Sequence, residues 1–202
     1  MNLLRVHYVL DQTTSLGPGK RYALWLQGCH KRCPNCMTPA SRDLDGGQML
    51  DVSVIATKIL LQKEIEGITI SGGEPFLQPE GLCELLQLIR SQSDLSIIIY
   101  TGYYISELRE WKNHFVDEIL DHHTDILIDG PYIQELNDGG SLRGSKNQTV
   151  YALSPRYRDI VTGLYGQPER HCEIHLNQNE ALLVGIPDEN GYKMWRLVFR
   201  AD

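Results

Sequence analysis

From Tyr22 onward, short unbroken apolar runs alternate with stretches in which apolar residues return every three or four positions. The run Tyr22-Ala-Leu-Trp-Leu-Gln, entering Gly28, reads as a strand. Asp51 is placed to cap a helix carrying Val52, Ile55 and Ile59 on one face. Gly67-Ile-Thr-Ile-Ser predicts a buried strand ending at Gly72-Gly73, and Pro79-Glu80 opens a helix with the stripe Leu82, Leu85, Leu86 and Ile89. The cycle then repeats. Leu95 to Tyr100 predicts a strand ending at Thr101-Gly102. Ser106 is expected to cap a helix presenting Leu108, Trp111, Phe115 and Ile119 on one side. Asp125-Ile-Leu-Ile-Asp predicts the next strand, stopped by Gly130-Pro131 because proline cannot continue a central ladder.

Strands alternating with helical segments imply βαβ units and a parallel sheet, hence an α/β fold. In such sheets ligands collect beyond the carboxyl ends of the strands. The final ~50 residues are richer in turn signals, with expected strands at Gln148–Leu153, Cys172–Leu176, Ala181–Ile186 and Trp195–Phe199. The division expected is a core over residues 1–150 and an extension over 151–202 packed on it.

Composition narrows the class. The 202 residues are 42% hydrophobic and 22% charged, which excludes a disordered or collagenous chain. A formal net charge of −7 argues against general nucleic-acid binding. No apolar run approaches the ~18 residues of a membrane span, and the start is broken by Arg5 and His7, so the reducing cytoplasm is the expected compartment. Five cysteines in that compartment argue against a disulfide framework. Three of them, Cys29, Cys33 and Cys36, fall on one loop as Cys-x3-Cys-x2-Cys. Spacings this short let the chain wrap one soft-metal centre, and zinc and an iron–sulfur cluster both remain open. A structural zinc site asks for a fourth protein ligand, and none stands at close spacing. Three thiolates alone suggest a four-iron cluster with one iron left open.

Cys-x3-Cys-x2-Cys after the first strand, with Ser71-Gly72-Gly73-Glu74-Pro75 after the next, resembles the signature pair of radical S-adenosylmethionine (SAM) enzymes. More narrowly, the chain resembles the activating proteins of anaerobic ribonucleoside-triphosphate reductases and their single-cluster relatives. The other shared segments are Gly17-Pro18-Gly19 with Arg21, Tyr100-Thr101-Gly102-Tyr103, Leu127 to Tyr132, and Arg143-Gly144-Ser145-Lys146-Asn147-Gln148. The resemblance implies a partial, partly open parallel (β/α) barrel of the small radical SAM type, with a C-terminal mostly β extension. It implies that Cys29, Cys33 and Cys36 ligate three irons of a [4Fe-4S] cluster, leaving the fourth iron to chelate SAM. Asn35, Cys36 and Met37 are then expected near the adenine, Gly72 and Gly73 against the methionyl part and Glu74 near the amino group, while Asp129, which ends its strand, is expected at the SAM ribose, at the substrate, or on a structural neighbour as a turn cap. No catalytic side chain is implied beyond the cluster and SAM.

The activity implied is reductive cleavage of SAM to methionine and a 5′-deoxyadenosyl radical that abstracts hydrogen. The expected target is a backbone glycine of a large partner protein, such as an anaerobic ribonucleotide reductase. The alternatives are the same chemistry on another macromolecule or small molecule, and a zinc-stabilised binding module. His30, Lys31 and Arg32 form a basic cluster that is either a solvated loop face or a docking site for a flavodoxin- or ferredoxin-type electron donor. Neither nucleic acid nor membrane is an expected partner. Cys83 reads as a core thiol. Cys172 is expected to point inward, with His171, Glu173 and His175 outward.

Overall fold

The computed structural model describes residues 2–140, 142–164, 170–176 and 180–199. Seven strands form one sheet: β1 (Leu3–Thr13), β2 (Arg21–Leu26), β3 (Gln48–Asp51), β4 (Gly67–Gly72), β5 (Ser96–Tyr100), β6 (Ile126–Asp129) and β7 (Thr149–Ala152). Their order is β3-β1-β2-β4-β5-β6-β7. The four central strands β2, β4, β5 and β6 run parallel. β1 and β3 on one flank and β7 on the other are antiparallel. The sheet is open, with β3 and β7 at its edges, so the α/β class holds while the strands close no barrel.

Alternation along the buried strands sends side chains to two different layers. Ile97, Ile99 and Leu127 face α1 (Val52–Leu60) and α2 (Pro79–Gln92), joining Ile55, Ile59, Leu82 and Leu86 in the larger core. Asp51 Oδ1 accepts from Ser53 N at 2.8 Å and starts α1 as expected. Cys83 is buried in this layer, the core thiol its setting predicted. On the opposite face, Ile98, Ile126, Ile128 and Val150 meet Tyr157, which ends the short 3-10 turn Pro155–Tyr157, and Val161 of α5 (Arg158–Leu164).

Arg21 begins β2 with a fully buried guanidinium. It donates to Thr69 Oγ1 (2.6 Å), Pro18 O (3.0 Å), Ser96 Oγ (2.9 Å), Ile68 O (2.6 Å) and Ser96 O (3.0 Å). Burial lowers its pKa to about 10, so it stays charged at neutral pH. One side chain thereby ties the Gly17–Gly19 turn to β4 and β5.

Several elements differ from expectation. β1 and β3 are additional strands on the N-terminal flank. The single helix expected from Ser106 is two, α3 (Ile105–Glu110) and α4 (His114–Glu118), followed by a π-helical turn over Ile119–His123. Lys112 at φ 50° breaks the path, and Asn113 Oδ1 caps α4 by accepting from Phe115 N at 3.0 Å. Tyr104 N, not Ser106, marks the start of α3, donating to Glu107 Oε2 at 2.6 Å.

β7 straddles the expected boundary at 150 and joins the main sheet, while β8 (Cys172–Leu176) and β9 (Ala181–Gly185) form a separate antiparallel hairpin. Trp195–Phe199 is helical, the end of α6 (Glu189–Phe199). The facing of β8 is the reverse of expectation: Cys172, Ile174 and Leu176 are exposed. Glu173 turns inward because Thr13 Oγ1 and Thr14 N donate to its carboxylate at 2.8 and 2.7 Å. Within the expected extension 151–202, residues 165–169, 177–179 and 200–202 lie outside the described residues.

Candidate active site

The carboxyl ends of the parallel strands open on a cavity of about 280 Å³. Each strand sends its following loop there, as the topology of an open parallel sheet requires. β2 supplies Cys29, Cys33 and Cys36, β4 supplies Gly72 to Glu74, β5 supplies Thr101 and Gly102, and β6 supplies Gly130. The far wall is Leu182, Leu183, Gly185, Ile186 and Pro187, from β9 and the residues just after it.

The cysteine loop is shaped by its own backbone. Gly28, at φ 95°, turns the chain out of β2, and Gly28 N and Cys29 N donate to Ser41 O and Arg42 O at 2.7 and 3.2 Å. Arg32 Nη1 donates to Cys29 O at 2.8 Å, and Arg42 Nη2 donates to Cys33 O. Cys29 is buried, while Cys33 and Cys36 are half-buried. Burial pushes the Cys29 thiol up, and the negative charges of Glu74, Cys36 and Cys33 push it further. The three thiols line one wall, and a thiol gives up its proton when it ligates a metal. Among the described residues no three His, Cys, Asp or Glu side chains gather tightly enough to enclose a single metal ion. His30 is exposed and off the cavity wall. A donor set of thiols arrayed along a wall fits a multi-iron cluster, in which each thiolate takes a different iron.

The glycine pair is laced to this loop. Gly73 N donates to Leu26 O at 2.7 Å and Glu74 N to Gly28 O at 2.8 Å. A Cβ on Gly72 (φ 112°) would lie 2.3 Å from Leu26 O, and one on Gly73 2.2 Å from Gly28 O. The glycines are thus required by the close approach of β2 and the cysteine loop, leaving their main chain exposed to the cavity.

Glu74 is fully buried. Its Oε1 accepts from Thr101 Oγ1 (2.8 Å) and Phe76 N (3.1 Å), and its Oε2 accepts from Gly102 N (2.8 Å). Burial raises its pKa to about 7 against the pull of these bonds and of Lys31. The carboxylate pins the loop after β4 to the loop after β5, and its bonds are already committed within the protein.

The other expected site residues separate. Cys36 and Met37 line the cavity, whereas Asn35, at φ 52°, lines an adjoining cleft of about 300 Å³ and donates to Gln134 Oε1. Met37 borders both. Asp129 is off the cavity wall. Its buried carboxylate accepts from Ile105 N at 2.8 Å and Thr149 N at 3.2 Å, so it ties α3 to β7.

In the shared segment 143–148, Gln148 lines the cavity and clamps Gly144 N (2.7 Å), Ser145 N (3.1 Å) and Gly130 O (2.8 Å). Ser145 Oγ accepts from Ile133 N at 3.1 Å, and Asn147 Nδ2 donates to Pro131 O at 2.8 Å. Arg143 pairs with Asp138 at 2.6 Å. These side chains fold the loop after β6 back on itself.

The basic cluster divides as well. Lys31 turns toward the cavity, with Nζ 3.9 Å above the Tyr103 ring and 4.0 Å from Glu107 Oε1, while His30 and Arg32 stay exposed. Sequence reasoning missed Tyr8, Leu16 and Trp25 on the cavity wall. Trp25 sat in the predicted strand, but only the unpredicted β1 shows which face of it lines the cavity.

A family model described as 4Fe-4S single cluster domain matches residues 15–151. The anaerobic ribonucleoside-triphosphate reductase-activating protein of Salmonella typhimurium is 31% identical over 159 residues, covering 74% of this chain and 99% of that protein. The protein of the same description from Vibrio cholerae is 32% identical over 157 residues, covering 73% and 96%. The pyruvate formate-lyase-activating enzyme of Clostridium pasteurianum is 33% identical over 141 residues, covering 67% of this chain and 55% of that enzyme.

Proposed function

The chain belongs to the 4Fe-4S single cluster domain family, with the radical SAM activases of glycyl-radical enzymes, and we propose that Cys29, Cys33 and Cys36 ligate three irons of a [4Fe-4S] cluster whose fourth iron takes SAM. It is an activating enzyme of that type, acting on a partner enzyme, and an anaerobic ribonucleotide reductase is the partner we assign. When bound, cluster and SAM supply a one-electron reductive cleavage that ends in methionine and 5′-deoxyadenosine, the added hydrogen coming from the partner's glycine.

The chain's own residues bind and orient. The thiolates hold iron, and Gly72 and Gly73, bare of side chains, let the methionyl end of SAM come close to the backbone. Glu74 fixes the loop spacing through Thr101 and Gly102. Cys36 and Met37, with Asn35 in the adjoining cleft, form the adenine side. In this reading the open sheet corresponds to the partial barrel of small radical SAM enzymes, its lumen being the face that carries Trp25 and Tyr100. An acidic flavodoxin- or ferredoxin-type donor docks at exposed His30 and Arg32, and His30→Glu slows reduction by that donor while dithionite reduction stays as it was.

The observation that carries this reading is the pair of bonds Gly73 N to Leu26 O and Glu74 N to Gly28 O, which sets the glycines and three thiols on one cavity. Anaerobic reconstitution tests it. About four irons per chain and 5′-deoxyadenosine from dithionite and SAM are expected, followed by a glycyl doublet in the reductase by electron paramagnetic resonance. Stoichiometric zinc with neither iron nor 5′-deoxyadenosine overturns it.

A further inference from the structure

The cavity has two chemically different sides. Thiols, Glu74, Thr101 and Lys31 stand at the strand ends, while Leu182, Leu183, Ile186 and Pro187 supply an apolar wall beside Leu16 and Trp25. That wall comes from the β8–β9 hairpin and lies beyond residue 151, where the family match ends.

Three anchors fix it. Val184, 1% exposed, packs on Leu16, Ala23 and Trp25. Glu173 takes bonds from Thr13 and Thr14. Arg170, just before the hairpin, donates to Asn137 Oδ1 (2.7 Å), Gly140 O (3.1 Å), Arg143 O (2.8 Å) and Gly144 O (3.2 Å). A segment held by apolar packing on one element and polar bonds to two others is a fixed wall and not a loose flap.

We propose that this hairpin is the specificity element of the site: it receives the partner's reacting segment as an extended polypeptide with apolar or small neighbours around its glycine, and rejects charged ones. The proposal rests on the activase reading above and adds the substrate chemistry that the wall selects. A charged side chain beside the glycine would lose its hydration against Leu183, Ile186 and Pro187, and among the described residues lining the cavity the basic side chains, His7, Lys31 and Arg42, come from β1 and the cysteine loop and not from the hairpin. An alanine or valine there loses no polar contact and covers apolar surface.

The test uses dye-labelled nonapeptides with a central glycine, flanked by Ala and Val or by Asp, and the reconstituted full chain. Anisotropy gives affinity. Peptide-dependent 5′-deoxyadenosine, normalised to each variant's own peptide-free rate, gives turnover. The wild type is expected to prefer the apolar-flanked peptide at least about tenfold. Ile186→Lys should bring that preference below about threefold, because it adds a counter-charge to the wall. Leu183→Ser, a milder change, should weaken the apolar-flanked peptide alone.

Equal affinities in the wild type, saturable binding of neither peptide, or an undiminished preference in both variants overturns the proposal. Binding is read without radical chemistry. A selective wall in a protein that makes no 5′-deoxyadenosine therefore overturns the activase reading alone, and active SAM cleavage without selectivity overturns the wall alone.

Discussion

The two sides of the cavity are held by different forces. On the cysteine side, main chain meets main chain: Gly28, Gly73 and Glu74 exchange amide–carbonyl bonds of 2.7–2.8 Å with Ser41, Leu26 and Gly28. Two glycines are obligatory there because a Cβ would overlap neighbouring backbone. On the hairpin side, contact is through side chains, with Val184 in an apolar nest and Glu173 and Arg170 as polar ties. Main-chain lacing fixes positions tightly and tolerates almost no substitution. Side-chain anchoring tolerates many residue combinations. A cofactor-binding face needs the first property, and a face that selects partners can vary with the second.

The sharpest way to break the contrast is Gly73→Ala. Its Cβ would fall 2.2 Å from Gly28 O, so the glycine segment or the cysteine loop must move. Misplacement by about an ångström costs ~100-fold in rate. The rate of 5′-deoxyadenosine formation should fall by about that factor, with iron loading lowered alongside it, and wild-type values for both would show that the lacing is dispensable.

Next in size is Val184→Asp, which buries a charge with no partner and costs ~3 kcal/mol or more. Amides of β8 and β9 should lose at least about 100-fold of their hydrogen-exchange protection, while those of β4 and β5 keep theirs. Equal loss in both sheets would mean that the two sides are one cooperative unit.

The same division decides what could be read in the sequence. Gly72-Gly73, the cysteine spacing, Asp51 as a cap and the apolar runs of β4, β5 and β6 each answer a local geometric demand that leaves a fixed residue type. β1 escaped because bulges between Val6 and Tyr8 and between Leu10 and Thr13 break its two-residue period. The α3–α4 break rests on Lys112 at positive φ, which no glycine announced. β8 reads backwards because its polar residues face partners, Thr13 and Thr14, about 160 positions away. Asp129 looked like a ligand because it ends a strand at the correct end of the sheet. Only the structure shows its oxygens taken by Ile105 and Thr149.

Acid and base distinguish the two sides further. Glu74, on the motif side, has its pKa raised by burial from 4.5 to about 7. The folded state then holds a proton that the unfolded chain has lost between those values, so this group's contribution falls as pH rises from about 4.5 to about 7. The loss amounts to a few kcal/mol. In cluster-free protein, Glu74→Gln should remove that decline from a denaturant series across pH. A decline of the same size in the variant would assign it elsewhere.

Glu173, on the hairpin side, has the opposite sign. Burial pushes its carboxyl up, but bonds from Thr14, His175 and Thr13 outweigh it and hold the pKa at about 2, below the ordinary 4.5. Its contribution is therefore complete above about 4.5 and is lost as pH falls toward about 2. About a quarter of the side chain, 27%, is open to solvent, and that exposure screens the interaction to about 1 kcal/mol. Glu173→Gln should lower the exchange protection factors of β8 and β9 amides about fivefold at neutral pH and make those factors insensitive to acid between those values. A hairpin that still loosens on acidification in this variant would place the switch on another group and leave Val184 as the dominant anchor.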